Sequence, residues 1–178
     1  HVAGVVAGNG YSSSGVFEGV AEDAPLLSIR VLDNNGQGTV ADVLAGLDWV
    51  LQYGFSHKVR IVNLSLGKAV EESNATDPLV LAAEALWDAG YVVVASAGNY
   101  GRDGHMTITS PGNSRKVITV GSITDQGTGT VFTDDFPSSY SSMGPTLVDH
   151  VLKPDLVAAG NRVVSTIPAH AGLRSALS

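Results

Sequence analysis

The chain has 178 residues, 44% of them hydrophobic and 15% charged, which is enough apolar material for one buried core and too little charge for an extended, disordered tail. A formal net charge of -7, from 10 Lys+Arg against 17 Asp+Glu, repels phosphate backbones, so nucleic acid is not an expected partner. With no cysteine there is no disulfide, thiolate metal site or thiol catalysis, and no apolar run approaches the ~20 residues of a membrane-spanning helix.

The chain opens on His1-Val2-Ala3-Gly4, with neither an initiator Met nor a basic region leading into an apolar stretch, and reads as a fragment or a processed piece. Gly8-x-Gly10 with Gly15 has the look of a phosphate loop, but no strand precedes it and the spacing does not fit a dinucleotide fingerprint. Pro25–Leu32 is short, apolar and β-branched, and predicts a strand ended by the turn residues Asp33-Asn34-Asn35-Gly36. Thr39 caps a predicted helix that runs to Tyr53, with Val40, Val43, Leu44, Leu47 and Val50/Leu51 on one stripe and Gly54 as the stop.

Val59–Leu66 predicts the next strand. Asp77-Pro78 starts a second helix, with Asp as cap and Pro at the first helical position, and Gly90 ends it. Tyr91–Ala97 is nearly all apolar, as a strand covered on both faces should be. Val117–Ile123 and Val163–Ile167 are further predicted strands, and Pro154-Asp155 reads as a turn entering one. Alternating strands and helices imply right-handed crossovers and a mostly parallel sheet in one α/β domain. Function in such sheets sits beyond the carboxyl ends of the strands, which points to Asn34–Gly38, Ser65–Gly67 and Ala97–Gly101.

Those segments, taken in order with four others, resemble the subtilase family of serine peptidases. His1-Val2-Ala3-Gly4 is similar to the end of that family's His-Gly-Thr-His-Val-Ala-Gly motif. Ile29-Arg30-Val31-Leu32 with Gly36-Gln37-Gly38 resembles one rim of the substrate cleft, and Val62-Asn63-Leu64-Ser65-Leu66-Gly67 the other. Val92–Asn99 resembles the segment carrying the oxyanion-hole Asn. Ser110-Pro111-Gly112-Asn113 before Val117–Gly121, then Tyr140–Pro145, then Lys153–Gly160 complete the series over essentially the whole chain.

The resemblance implies a subtilisin-like three-layer sandwich, cut at both ends. It also implies a serine endopeptidase in which Ser attacks the peptide carbonyl, His takes the proton and Asp orients the His. Asn99 would donate to the oxyanion, a task that suits a neutral amide because it adds no charge beside the His. Gly36 and Gly38 on one side, and Ser65, Leu66 and Gly67 on the other, would pair with an extended peptide or unfolded protein as added strands. Ala97 and Gly98 would line the pocket for the side chain before the cut, with Thr109 and Ser110 toward its floor and an apolar preference. Aligning His1 with the second His of the motif puts the base three residues upstream, the Asp earlier still, and the nucleophile just past Leu177-Ser178. The chain alone is then expected to be inert, and, without the nucleophile's helix, to be marginal or self-associating. No cofactor is required for this chemistry, structural calcium would belong to the parent protein, and the family favours an extracellular location.

Plainer readings stand beside these. Asn99 could cap a turn, and Ser65–Gly67 could be an ordinary strand end. Asp33, Asn34 and Asn35 lack the alternating ligand spacing of a calcium loop and read as a solvated turn, as does the Asp134-Asp135 pair. His57, His105, His150 and His170 read as surface residues, and Trp49 and Trp87 as packing. At the level of function the alternatives are a peptide-binding pseudopeptidase and, from another class, a nucleotide-binding α/β protein.

Overall fold

The structure is a computed structural model that describes residues 1–128 and 131–167. Two compact units divide the chain, His1–Ser28 with the residues from Arg162 onward, and Ile29–Asn161. In the smaller unit a short helix, α1 (Val2–Ala7), precedes a 3-10 turn at Tyr11–Ser13. The chain then doubles back, with Val20 and Ala21 donating to the carbonyls of Val5 and Val6 at 3.1 and 2.8 Å. The predicted Val163–Ile167 strand is not formed; this segment is irregular, and Ser165 Oγ donates to His1 O.

In the larger unit, helix α2 (Val40–Tyr53) starts where the sequence predicts. Thr39 Oγ1 accepts from Asp42 N at 3.1 Å, and Asp42 Oδ2 accepts from Thr39 N at 3.0 Å, a reciprocal capping box. Val43, Leu47 and Val50 are buried on its inner stripe, while Leu51 stays outside. Helix α3 (Pro78–Asp88) is capped by Asp77, whose Oδ1 accepts from Leu79 N at 2.9 Å, and it buries Leu79, Val80, Ala83 and Leu86.

Three parallel strands, β1 (Ile61–Leu64), β2 (Val92–Ser96) and β3 (Ile118–Thr124), lie in that order. The short β4 (Phe136–Pro137) is antiparallel to the end of β3, and β5 (Leu156–Ala159) runs parallel to β3. Leu64 pairs with Ala95 and Ser96 with Val120, so β1 and β2 end close together while β3 runs on to Thr124. Val62, Leu64, Val93 and Ala95 join Val43, Leu47, Val50, Leu79, Ala83, Leu86, Tyr91 and Val117 in one core between sheet and helices. Tyr91, just before β2, donates its hydroxyl to Val50 O and stacks on Phe55 at 4.3 Å. The carboxyl end of α2 therefore sits at the amino end of β2, and the amino end of α2 points toward the carboxyl ends of the strands.

The expected strand at Pro25–Leu32 is a correction, because the segment carries no strand in the structure. The boundary between the two units falls inside it, and the sheet begins at β1. Its apolar residues Ile29 and Val31 still pack on the core, with Val31 against Gly46 of α2. Composition supplied the burial; a ladder also needs a neighbour, and none of the described strands pairs there.

At the other end of the sheet, Lys153 is buried. Its Nζ donates to Val117 O at 2.8 Å and to Asp155 Oδ2 at 2.6 Å, and that carboxylate also accepts from Thr119 N. The charge is compensated by hydrogen bonds and locks the start of β3 to the lead-in of β5.

Candidate active-site cleft

Beyond the carboxyl end of β2 the chain leaves the sheet through Ala97, Gly98 and Asn99. Ala97 is buried, its N–H donating to Val120 O and its carbonyl accepting from Thr109 N, both at 2.9 Å. Gly98 has φ +109°, a conformation glycine adopts at no steric cost, and a Cβ there would stand 2.7 Å from Thr109 Cγ2 and 2.8 Å from Ser142 Oγ. Asn99 follows and is exposed. Its side-chain amide makes no hydrogen bond among the described residues, so it is neither a buried core polar group nor a turn cap.

Ser65–Gly67 continues from β1 alongside. Ser65 Oγ accepts from Asn63 Nδ2 at 2.8 Å, and Gly67 is exposed. Lys68 and Ser110 exchange two backbone hydrogen bonds at 3.0 Å each, which draws the 109–110 segment under this wall. A Cβ on Gly67 would meet Thr109 Oγ1 at 2.7 Å. Thr109 is buried, and it touches both Gly67 and Gly98. The two strand ends are thus joined by one small side chain beneath them.

Gly36 and Gly38 lie in the loop that opens α2. Asp33 Oδ1 accepts from Asn35 N at 2.8 Å and from Gln37 N at 2.9 Å, and Asp33 N donates to Gln37 O. The N–H groups of Gln37 and then Asn35 hold the Asp33 carboxyl below its ordinary range. With Gln37 turned inward on both its backbone groups, Gly38 keeps its own free among the described residues. Gly36 has φ +75° and open space around it. This loop shares the strands' carboxyl end with the other two segments, but only those two are in contact through Thr109.

The Asn34 side chain beside Asp33 is already engaged, since Arg30 Nη2 donates to its Oδ1 at 2.9 Å. Among the described residues no group of three or more His, Cys, Asp or Glu is arranged to hold a metal ion. His57, His105 and His150 are exposed, with His105 Nδ1 3.1 Å from Gly144 O. His170 and Ser178 lie outside the described residues. Trp49 and Trp87 are half-buried against the core.

Lys68 is an element that sequence reading missed. Its Nζ lies 3.3 Å from Asp77 Oδ2, an oxygen with no hydrogen-bond donor of its own, and so ties the Gly67 wall to the cap of α3. Asp149 is a second such contact, holding the Ser73–Asn74 turn ahead of α3. Ser73 Oγ and then Asn74 N donate to its carboxylate, at 2.6 and 2.7 Å, and hold it below its ordinary range. No local motif announces either contact, because the partners are 9 and about 75 residues apart.

The chain is similar to several known proteins. The chain is 43% identical over 170 residues to the "Serine protease AprX" of Bacillus subtilis (strain 168), covering 93% of this chain and 38% of that protein. It is 37% identical over 166 residues to the "Extracellular serine proteinase" of Thermus sp. (strain Rt41A), 93% of this chain and 33% of that one. Subtilisin DY of Bacillus licheniformis matches at 33% over 171 residues, 96% of this chain and 53% of that protein. Among solved structures, "Sphericase" superposes with a TM-score of 0.76 at 27% identity, covering 93% of this chain and 53% of its own. The chain spans between a third and about half the length of these relatives. The fold is subtilisin-like, and the family model described as "Subtilase family" matches residues 1–177, so the chain belongs to the subtilase family.

Proposed function

We propose that this chain supplies the substrate cleft and the oxyanion donor of a serine endopeptidase. Asn99 is the donor, and an extended peptide lies between Gly36/Gly38 and Ser65–Gly67, with Ala97 and Gly98 lining the pocket for the residue before the cut. The observation that carries this reading is the exposed, unengaged amide of Asn99, next to two strand ends held together by Thr109. A tetrahedral intermediate concentrates negative charge on one oxygen, and a neutral donor already in place stabilises it without reorganising. The free backbone groups of Gly38 suit β-strand addition, in which the main chain of the substrate supplies much of the affinity.

The Ser-His-Asp residues are proposed to lie outside these 178 positions, so the isolated polypeptide would not react with a fluorophosphonate. Its substrate would be an extended peptide or unfolded protein. An extracellular location follows the printed name of the Thermus relative.

The test is Asn99→Ala in the natural protein that contains this chain, assayed on a peptide substrate. Turnover should fall by ~10²–10³, the magnitude known for a subtilisin's oxyanion amide and carried over by family, with KM changed little. An unchanged kcat would remove Asn99 from the chemistry.

A further inference from the structure

Asn99 follows a glycine at φ +109°, in a loop that its own sequence does not stiffen. An oxyanion donor has to be in position before charge develops, so something outside the loop must fix it. Ser142 meets that need. Its N–H donates to Gly98 O at 3.0 Å, and its Oγ accepts from Tyr100 N at 3.0 Å. One buried residue thus grips the backbone immediately before and immediately after Asn99, from 42 positions away in sequence.

The grip is itself well anchored. Ser141 Oγ accepts from Ser122 N of β3 at 2.9 Å, and Ser141 N donates to Ser138 O. The Tyr140 hydroxyl lies 2.8 Å from Ser122 Oγ and donates to Gly160 O, just beyond β5, at 3.0 Å. The Tyr140 carbonyl accepts from Gly101 N, a third bond to the loop. Tyr140–Ser142 therefore relays the position of the sheet to the Asn99 loop. Ser142 Oγ would stand 2.8 Å from any Cβ at residue 98, so serine and loop are in close contact, with no space for a water between them.

We propose that Ser142 is a positioning residue for the oxyanion donor, holding Asn99 by its two flanking peptide groups. This rests on the reading of Asn99 given above. The hydroxyl makes one of the two bonds and the Ser142 backbone makes the other, so Ser142→Ala removes half of the grip and leaves the chain path intact. Small misplacements of a catalytic group cost up to about 10²-fold in rate.

The experiment is a double-mutant cycle in the peptidase that contains this chain, measuring kcat, KM and thermal midpoint for wild type, Ser142→Ala, Asn99→Ala and the pair. Ser142→Ala should lower kcat by ~10–100-fold with KM within about 2-fold. In the Asn99→Ala background it should cost nothing further in kcat, although it still lowers the midpoint. Ser142→Cys keeps the shape with a poorer acceptor and should follow the same pattern with a several-fold loss, which keeps the question answerable where alanine lowers the folded yield. A large effect of Asn99→Ala with none from Ser142→Ala overturns the positioning role alone. Equal losses from Ser142→Ala in both backgrounds mean a general structural role and overturn it too. An inactive wild type, or an Asn99→Ala variant with normal kcat, overturns the oxyanion reading and this inference with it.

Discussion

Residues at the cleft are held by short polar contacts that respond to pH in a definite direction. Asp33 has a carboxyl that titrates lower in the folded loop than in the unfolded chain, because Gln37 N–H and Asn35 N–H bond its charged form. Its contribution is whole above the ordinary carboxylate value near ~3.9 and is lost as pH falls through the lowered folded value. The Gly36–Gly38 rim should therefore stay ordered at neutral pH and loosen only in strong acid. Asp33→Ala should produce that loosening at neutral pH, seen as faster amide exchange at Asn35 and Gln37 with the α2 amides unchanged. Unaltered exchange at both would show that the carboxylate does not order the rim. Part of this scale was legible in the sequence: Asn99 follows the end of a strand that forms and Gly36 sits in a turn its own residues specify, whereas Thr109 was reached only through the family resemblance. Ser142 was legible only as part of a motif, because its grip on Gly98 and Tyr100 bridges some 40 residues and leaves no local pattern.

Helices α2 and α3 were the most legible elements, since each begins on its own capping chemistry and carries an apolar stripe of helical period. The three central strands were found from their short apolar runs, with β1 and β2 trimmed by one or two residues at each end and β3 shifted one residue later. Pro25–Leu32 and Val163–Ile167 failed because strand formation depends on a partner that composition does not specify. The cap of α3 does more than start a helix. Asp77 is fully buried, with one carboxylate oxygen on Leu79 N and the other facing Lys68. Asp77→Ala should lower stability by about 1–3 kcal/mol, combining a lost cap with a lost partner for the Lys68 ammonium. Asp77→Asn keeps the cap acceptor and should cost less. Denaturant unfolding of the two variants measures the difference, and equal losses would mean that the Lys68 contact, and not the cap, carries the effect.

For the molecule as a whole, the decisive feature is an unequal pair of sheet faces. Val62, Leu64, Val93 and Ala95 are buried under α2 and α3, while the opposite face carries Ile61, Val92 and Leu156 at 65%, 41% and 50% exposure. Parallel sheets are normally covered on both faces, and nearly continuous apolar strands such as β2 have the composition for it. Covering an exposed Val, Ile or Leu completely is worth ~1.5–3 kcal/mol each, so this face is a strong driving surface for the 178-residue polypeptide on its own. That polypeptide should bind an apolar dye and associate as its concentration rises. Ile61→Thr with Val92→Thr keeps the β-branched shape and strand propensity of both positions but removes most of the gain from burial. The double variant should therefore show a weaker dye signal and sediment as a smaller species, with its secondary structure retained. A wild-type polypeptide that stays monomeric and dye-silent at high concentration would mean that this face is not available to solvent, and the argument from unequal faces would fall.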